Sequence, residues 1–444
     1  MLKRIPSSLV PWLVLPVLLL PLPSFAQARL SGTWLLTTDV FGNPWHQRLT
    51  LEQKGDTLAG RAGSDKVEGT LQGGAVRFVS KPEGGGRNEY AGAVSGESIS
   101  GTVVLVDGET GERVSSTFTA RRVPERRAGP PGRHEFVPTT FYRRFSAETK
   151  PVLTVAPGDT VHTTTVDAGG TDEKGVSRVL GGNPQTGPFY VETALPGDVL
   201  AVHIVRLKLN RDWAVSDDSI VPRALDGELA VKLKDAGKMA RWHLDRDRGT
   251  AALEKPTEHL GGYSVPLRPM LGCVGVAPGF GSAGPGTGDS GGFGGNMDFS
   301  GIVEGTTVFL PVLQPGALLY LGDGHAAQGD GELNGNALET SMEVEFTVDV
   351  VPEKTIATPR VESATHLVVV GLDGSLEGAL KEATSGMAQW LEQDYGLTPS
   401  EVAQVLGTAS EIVVNEVADR NAGIALRLAK DRLQPLARTS AAKK

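Results

Sequence analysis

Eleven residues, Gly322–Glu332 (GDGHAAQGDGE), hold Asp323, His325, Gln328, Asp330 and Glu332, spaced by four glycines. Carboxylate and imidazole are the ligand set of a hydrolytic divalent metal, and glycine lets a chain turn through positive φ without a Cβ clash. A solvated turn would also be rich in Gly and Asp. Context favours a site: the loop follows the apolar run Ala317–Leu321, which reads as a strand. Asp298 lies 25 positions before Asp323, in a second glycine-rich acidic element, Gly294–Asp298 (GGNMD). Asp298, Asp323 and His325 together would neutralise a divalent cation and leave positions for water and a carbonyl oxygen. Asn183, Asn296 and Gln328 suit an amide substrate, because each both donates and accepts hydrogen bonds; tying down their own turns is an equal use for them.

Other chemistries fit less well. Cys273 lies inside an apolar run, where a lone cysteine is a small core residue. No serine has a convincing histidine and aspartate partner for nucleophilic catalysis. Gly279–Gly284 (GFGSAG) matches a dinucleotide pattern in form, but Pro285-Gly286 follows it where a helix is required. Pro278–Gly295 reads instead as a glycine-rich loop bordering the site. His46, His134, His203, His243, His259 and His366 lack clustered ligand spacing.

The elements that must carry these residues are mostly strands. Residues 30–123 alternate in short runs broken by turn residues, the rhythm of a small antiparallel β sandwich or barrel. Residues 124–133 (PERRAGPPGR) read as a solvated linker. From 134 to 435 a second, β-rich domain follows. Its run Met342–Val351 sets Val344, Phe346, Val348 and Val350 against Glu343 and Glu345, a strand with one wet face. The end of the chain changes period: Leu376, Leu380, Ala383, Met387, Trp390 and Leu391 mark one amphipathic helix, stopped by Gly396. Thr398, Pro399 and Glu401 then start a second. The fold class is mainly β with a C-terminal helical tail.

Several ordered segments resemble the acetamidase/formamidase family: Asn183–Pro188 (NPQTGP) with Leu195–Asp198 (LPGD), Pro269–Pro278 (PMLGCVGVAP), Gly294–Asp298, Leu310–Ala317 and Gly322–Glu332. With the helical tail Ala379–Asp419, the resemblance runs from 151 to 419. It implies hydrolysis of a small linear amide such as formamide or acetamide to carboxylate and ammonia, with a divalent metal: zinc, or calcium as the alternative. Amide hydrolysis needs a carboxylate to move the water proton to nitrogen. Glu332 is the candidate, and Glu339, in the family-like segment Asn336–Glu339, is the second. His162 and Asp167, also in a family-like segment, could approach the metal. An exported metal- or amide-binding protein without turnover is the alternative reading.

Residues 1–28 have the make-up of a cleaved export signal: Lys3 and Arg4, the apolar run Leu9–Leu20, and Ala26-Gln27-Ala28. The expectation is a periplasmic or secreted protein, not membrane-bound after cleavage. Without Lys3 and Arg4 there are 41 basic residues against 52 acidic, a net charge of −11, which argues against nucleic acid as a partner. Cys273 is the sole cysteine, so no intramolecular disulfide forms. Assembly as a homo-oligomer is left open.

Overall fold

Alternation of apolar and polar residues rolls the first eight strands into a closed antiparallel barrel, from Gly32–Val40 to Arg113–Arg122, in a computed structural model that describes residues 29–82, 85–233 and 237–436. The expected export signal lies outside the described residues. The last strand pairs with the first (Trp34↔Arg122 through Thr38↔Phe118), which leaves no free edge. Of the two expected forms, sandwich and barrel, the chain takes the barrel. Its interior is filled: Phe78 stacks on Tyr90, and Phe118 meets both edge-on among Trp34, Leu36 and Leu49.

The barrel is held to the rest of the chain. Arg48 donates to both carboxylate oxygens of Asp198, each at 2.6 Å, and Asp198 also accepts from the backbone of Leu195 and Glu353. The arginine-rich stretch read as a solvated linker is also engaged. Arg126 donates to the Pro157 carbonyl, and Arg127 pairs with the buried Asp159. Carboxyl and carbonyl acceptors on the body give these guanidinium groups better partners than water alone.

The body is built on two sheets that share one apolar core. A nine-stranded sheet contains Val199–Leu209 beside Met342–Val351, and a larger sheet contains Met270–Val276 beside Leu319–His325. Leu200, Val202, Val344 and Phe346 of the first join Leu271, Val274, Leu319 and Leu321 of the second. In Met342–Val351 the expected alternation holds for Val344, Phe346 and Val348, while Val350 is half-buried where the strand leaves the core.

Two expectations change at the sheet. The strand expected over 317–321 begins at Leu319 and continues through His325, so Asp323 and His325 stand on a strand and not in the following loop. Ala317 and Leu318 belong to the preceding turn, both with φ 58°. The tail starts as expected, with helices Leu376–Tyr395 and Pro399–Ala409, Gly396 at φ 67° and a Thr398/Glu401 capping box. Leu376 and Leu380, however, are exposed: the helix meets the sheet only from Ala379, where its backbone lies against Gly371. The tail then ceases to be helical. Strands Ser410–Glu416 and Ala422–Ala429 run back into the nine-stranded sheet and bring Asn415, Glu416 and Asp419 toward the other sheet.

Candidate metal and catalytic site

Strand periodicity places the central pair: Asp323 and His325 are two residues apart on Leu319–His325 and share a face. His325 pairs across the ladder with Glu339, and Cys273 with Asn296 on the far side of Met270–Val276. Asp298 follows two residues after Asn296. Ligand atoms of Asp298, Asp323 and His325 lie within 4.8 Å of one another, and all three residues are buried. Gly272, opposite Asp323, makes room for this meeting. A Cβ there would collide with carboxylate oxygens of both Asp298 and Asp323.

Asn296 holds Asp298 and Gln328 holds His325, and one atom of each of the three side chains is left without a hydrogen bond. Asp298 Oδ1, Asp323 Oδ1 and His325 Nε2 have no hydrogen-bond partner although each is buried. Gln328 explains the histidine. Its Nε2 donates to the Asp298 carbonyl at 2.6 Å and the Asn415 carbonyl at 3.3 Å, which fixes the amide so that Oε1 faces His325 Nδ1 at 2.8 Å. Nδ1 must then carry the hydrogen, leaving Nε2 as the ligand atom. Nε2 lies 3.5 Å from both Asp323 Oδ1 and Glu339 Oε1. Burial opposes charge on this imidazole, yet the carboxylates of Glu339 and Asp323 hold its pKa well above the ordinary value. Buried orphan atoms cost stability unless something fills the space between them. A divalent cation fits this donor set.

The cluster opens into a cavity of about 880 Å³, whose wall includes Asp323, Glu332, Glu339, Asn183, Asn296 and Asp419. A family model for the acetamidase/formamidase family matches residues 286–413. An acetamidase from Bacillus halodurans is 30% identical, with a TM-score of 0.59, over 68% of this chain and 99% of its own. The chain belongs to the acetamidase/formamidase family. An acetamidase from Yersinia enterocolitica is 25% identical, with a TM-score of 0.60, over 69% of this chain and 94% of its own. A Schizosaccharomyces pombe protein provisionally named a formamidase is 54% identical over 41 residues; the chain spans 10% of that curated relative.

Within this family member the expected substrate-binding residues also hold the ligand side chains. Asn296 Nδ2 donates to Asp298 at 2.6 Å and to Asp419 at 2.5 Å, while its Oδ1 accepts from Asn183. Asn183 also accepts from Gln185 and donates to the Thr287 carbonyl. Asn296 thus aims the carboxylates of Asp298 and Asp419, Asn183 steadies Asn296, and Gln328 aims the imidazole, while Asn183 and Asn296 also line the cavity. His162 is not brought to the cluster: it lies on the Thr160–Thr164 strand between Glu135 and Glu343. Asp167 pairs instead with the buried Arg211 at 2.7 Å. Cys273 is fully buried, and burial raises its thiol well above the ordinary value, as a core cysteine requires.

Sequence reasoning missed Glu416 and Asp419. Glu416 is fully buried, its Oε1 has no partner, and with Asp298 and Glu332 it forms a second set of ligand atoms within 4.8 Å. Asp298 is common to both sets. Burial is the main cause of the raised pKa values here: Glu339 is pushed up to about 7, Glu416 to about 8 and Asp419 to about 6. Glu332 and Asp298 are raised well above the carboxylate range, first by burial and then by their charged neighbours. No sequence signal pointed to the returning strand, because its acids sit at the end of an ordinary β run.

Proposed function

We propose that the chain hydrolyses a linear carboxylic amide to the carboxylate and ammonia, in an exported compartment, with a divalent cation held by Asp298, Asp323 and His325. The observation that carries this reading is the convergence of three buried ligand atoms without hydrogen bonds, on residues of which Asp323 lines the cavity. An imidazole with two carboxylates matches zinc, whereas calcium takes six to eight oxygens. Such a cation would polarise the substrate carbonyl and acidify water. Asp298 with Glu332 and Glu416 offers ligands for a second cation, which would draw Glu332 into the ligand set.

That leaves Glu339 as the better proton carrier, ahead of Glu332. It lines the cavity and sits beside His325 Nε2. Its pKa of about 7 lets it take a proton from the attacking water and hand it to the departing nitrogen near neutral pH. Gln328 and Asn296 act earlier, by fixing the imidazole tautomer and the Asp298 rotamer. Ammonia release from a panel of small amides, with and without chelator and with metal added back, tests the reading. Full activity in the chelated, metal-free protein would remove the cation from it.

A further inference from the structure

The acids and the cations that line the cavity differ in depth. Asp323, Glu332 and Glu339 are buried and Asp419 is half-buried, forming an acidic floor, while among the described residues the cationic side chains of its wall, Arg143 and Arg144, are exposed. Neither arginine is spent on those acids. Arg143 Nη1 donates to the Gly181 carbonyl at 3.2 Å, and Arg144 Nη1 to the Gly284 carbonyl at 2.8 Å. These backbone anchors hold each guanidinium at the wall, and among the described residues neither has a carboxylate within ion-pair distance. A guanidinium has five N–H donors in a planar fork, so each keeps donors free for a ligand. If the two arginines served only to balance the floor's charge, pairing with it would be the lower-energy arrangement.

The size of the cavity adds a second point. About 880 Å³ is in the range that encloses ligands far larger than formamide, a molecule of three heavy atoms. A substrate that reaches from the floor to Arg143 and Arg144 must carry a group the arginines recognise, and planar bidentate donors match a carboxylate. We propose that this enzyme selects amides bearing a carboxylate at the far end of the molecule, such as the half-amide of a dicarboxylic acid. Arg143 and Arg144 bind the carboxylate, and the amide lies over the acidic floor. This specificity rests on the hydrolytic reading above, whereas the anion subsite itself does not.

The test compares succinamate with butyramide, an uncharged amide of equal chain length, on the metal-loaded full chain. It also measures succinate binding by calorimetry. Wild type should favour succinamate in kcat/KM by about tenfold or more, the worth of a charge-assisted bidentate contact at a partly open site. In the R143Q/R144Q variant that ratio should collapse toward one, with succinate binding weakened about tenfold. The R143E/R144E variant should turn the preference toward an amide with a terminal ammonium group. Equal use of the two amides by wild type would overturn the proposal and leave amide hydrolysis standing. If neither amide is cleaved but succinate binding depends on the two arginines, hydrolysis falls and the anion subsite stands. Succinate binding that ignores both substitutions would overturn the subsite whatever the turnover.

Discussion

The barrel and the cluster at Asp298 are both closed by β ladders, yet they follow opposite rules. Inside the barrel the buried side chains are overwhelmingly apolar; its one buried carboxylate, Asp65, accepts from Ser80, which in turn accepts from Asn88. Its positive-φ positions are glycines, apart from Phe41 in an exposed turn. Around the cavity, Asn183, Asp298, Asp323 and Glu332 all adopt positive φ, between 41° and 58°, and several buried polar atoms lack partners. Strain and unsatisfied polarity persist only where the surrounding structure enforces them. The barrel too has buried hydroxyls without partners, at Thr38 and Tyr90, but only the site gathers carboxylate and imidazole atoms of that kind, so one region is packed for stability and the other holds charged groups in readiness for a ligand.

The sharpest break in this contrast is His325→Ala. It removes a ligand without touching the barrel, so bound metal and amide hydrolysis should disappear together while the far-ultraviolet circular dichroism stays unchanged. Retained metal, measured by plasma emission, would show that the orphan atoms are not the ligands.

Glu339→Gln should come next. The amide fills the same space but cannot take a proton, so metal content should hold and turnover fall on the order of 10²-fold or more. Glu332→Gln should instead lower metal stoichiometry, if Glu332 binds with Asp298 and Glu416. Full turnover in the Glu339 variant would return the proton to Glu332.

Gly272→Ala probes the space between Asp298 and Asp323. The added methyl meets both carboxylates, and overpacking of this kind costs about 1–3 kcal/mol. Metal affinity should fall more than thermal stability, as titration with a chromophoric chelator against melting curves would reveal. An equivalent substitution at Gly55, in an open barrel turn with φ 60°, should leave metal binding alone.

The raised carboxyl pKa values give a pH signature. Glu339, at about 7, and Glu416, at about 8, keep protons in the folded state that an unfolded chain releases above the ordinary glutamate value of 4.5. The unfolded state therefore binds fewer protons within that window, and stability of the metal-free fold falls as pH rises from 4.5 toward 8. Added cation should raise the melting temperature by several degrees more at pH 8 than at pH 5. An equal rise at both would mean that the cation binds away from these acids.

Arg48→Ala should have the smallest effect. Asp198 would lose its guanidinium but keep two backbone donors, and Arg48 is itself partly exposed, so the loss should be about 1–3 kcal/mol, below the cost of breaking a fully buried pair. A cooperative melt that splits into two transitions would mean that this pair couples barrel to body. The same contact bears on whether residues 134–444 fold without the barrel, since truncation leaves a buried carboxylate without its cation.

The barrel was legible in the sequence because period-two alternation and turn residues are local signals. Asp298, Asp323 and His325 were legible for a related reason: glycine-framed acids stand out even without a neighbour. Their setting was not. Asp323 and His325 read as a loop because Gly322 and Gly324 look like turn residues, whereas those glycines permit close ladder packing, against Gln185 at one and Met342 at the other. Gln328 and Asn296 act on near neighbours, His325 and Asp298, but what fixes their amides lies 30 to 123 positions away, which no local pattern reveals. Glu416 was hidden for the same reason.

Glu416 and Asp419 follow Arg143 by more than two hundred residues, yet they belong to the same place: Asp419 and Arg143 line one cavity, and Glu416 shares a ligand set with Asp298 and Glu332. A chain made from its N-terminus can close the barrel early, from contacts that span fewer than a hundred residues. The site must wait for the returning strand Ser410–Glu416 and the turn that follows it. A nascent chain that has not yet reached the returning strand therefore carries a finished barrel and an unfinished site, so the fold can be sound at one end while the chemistry still waits at the other.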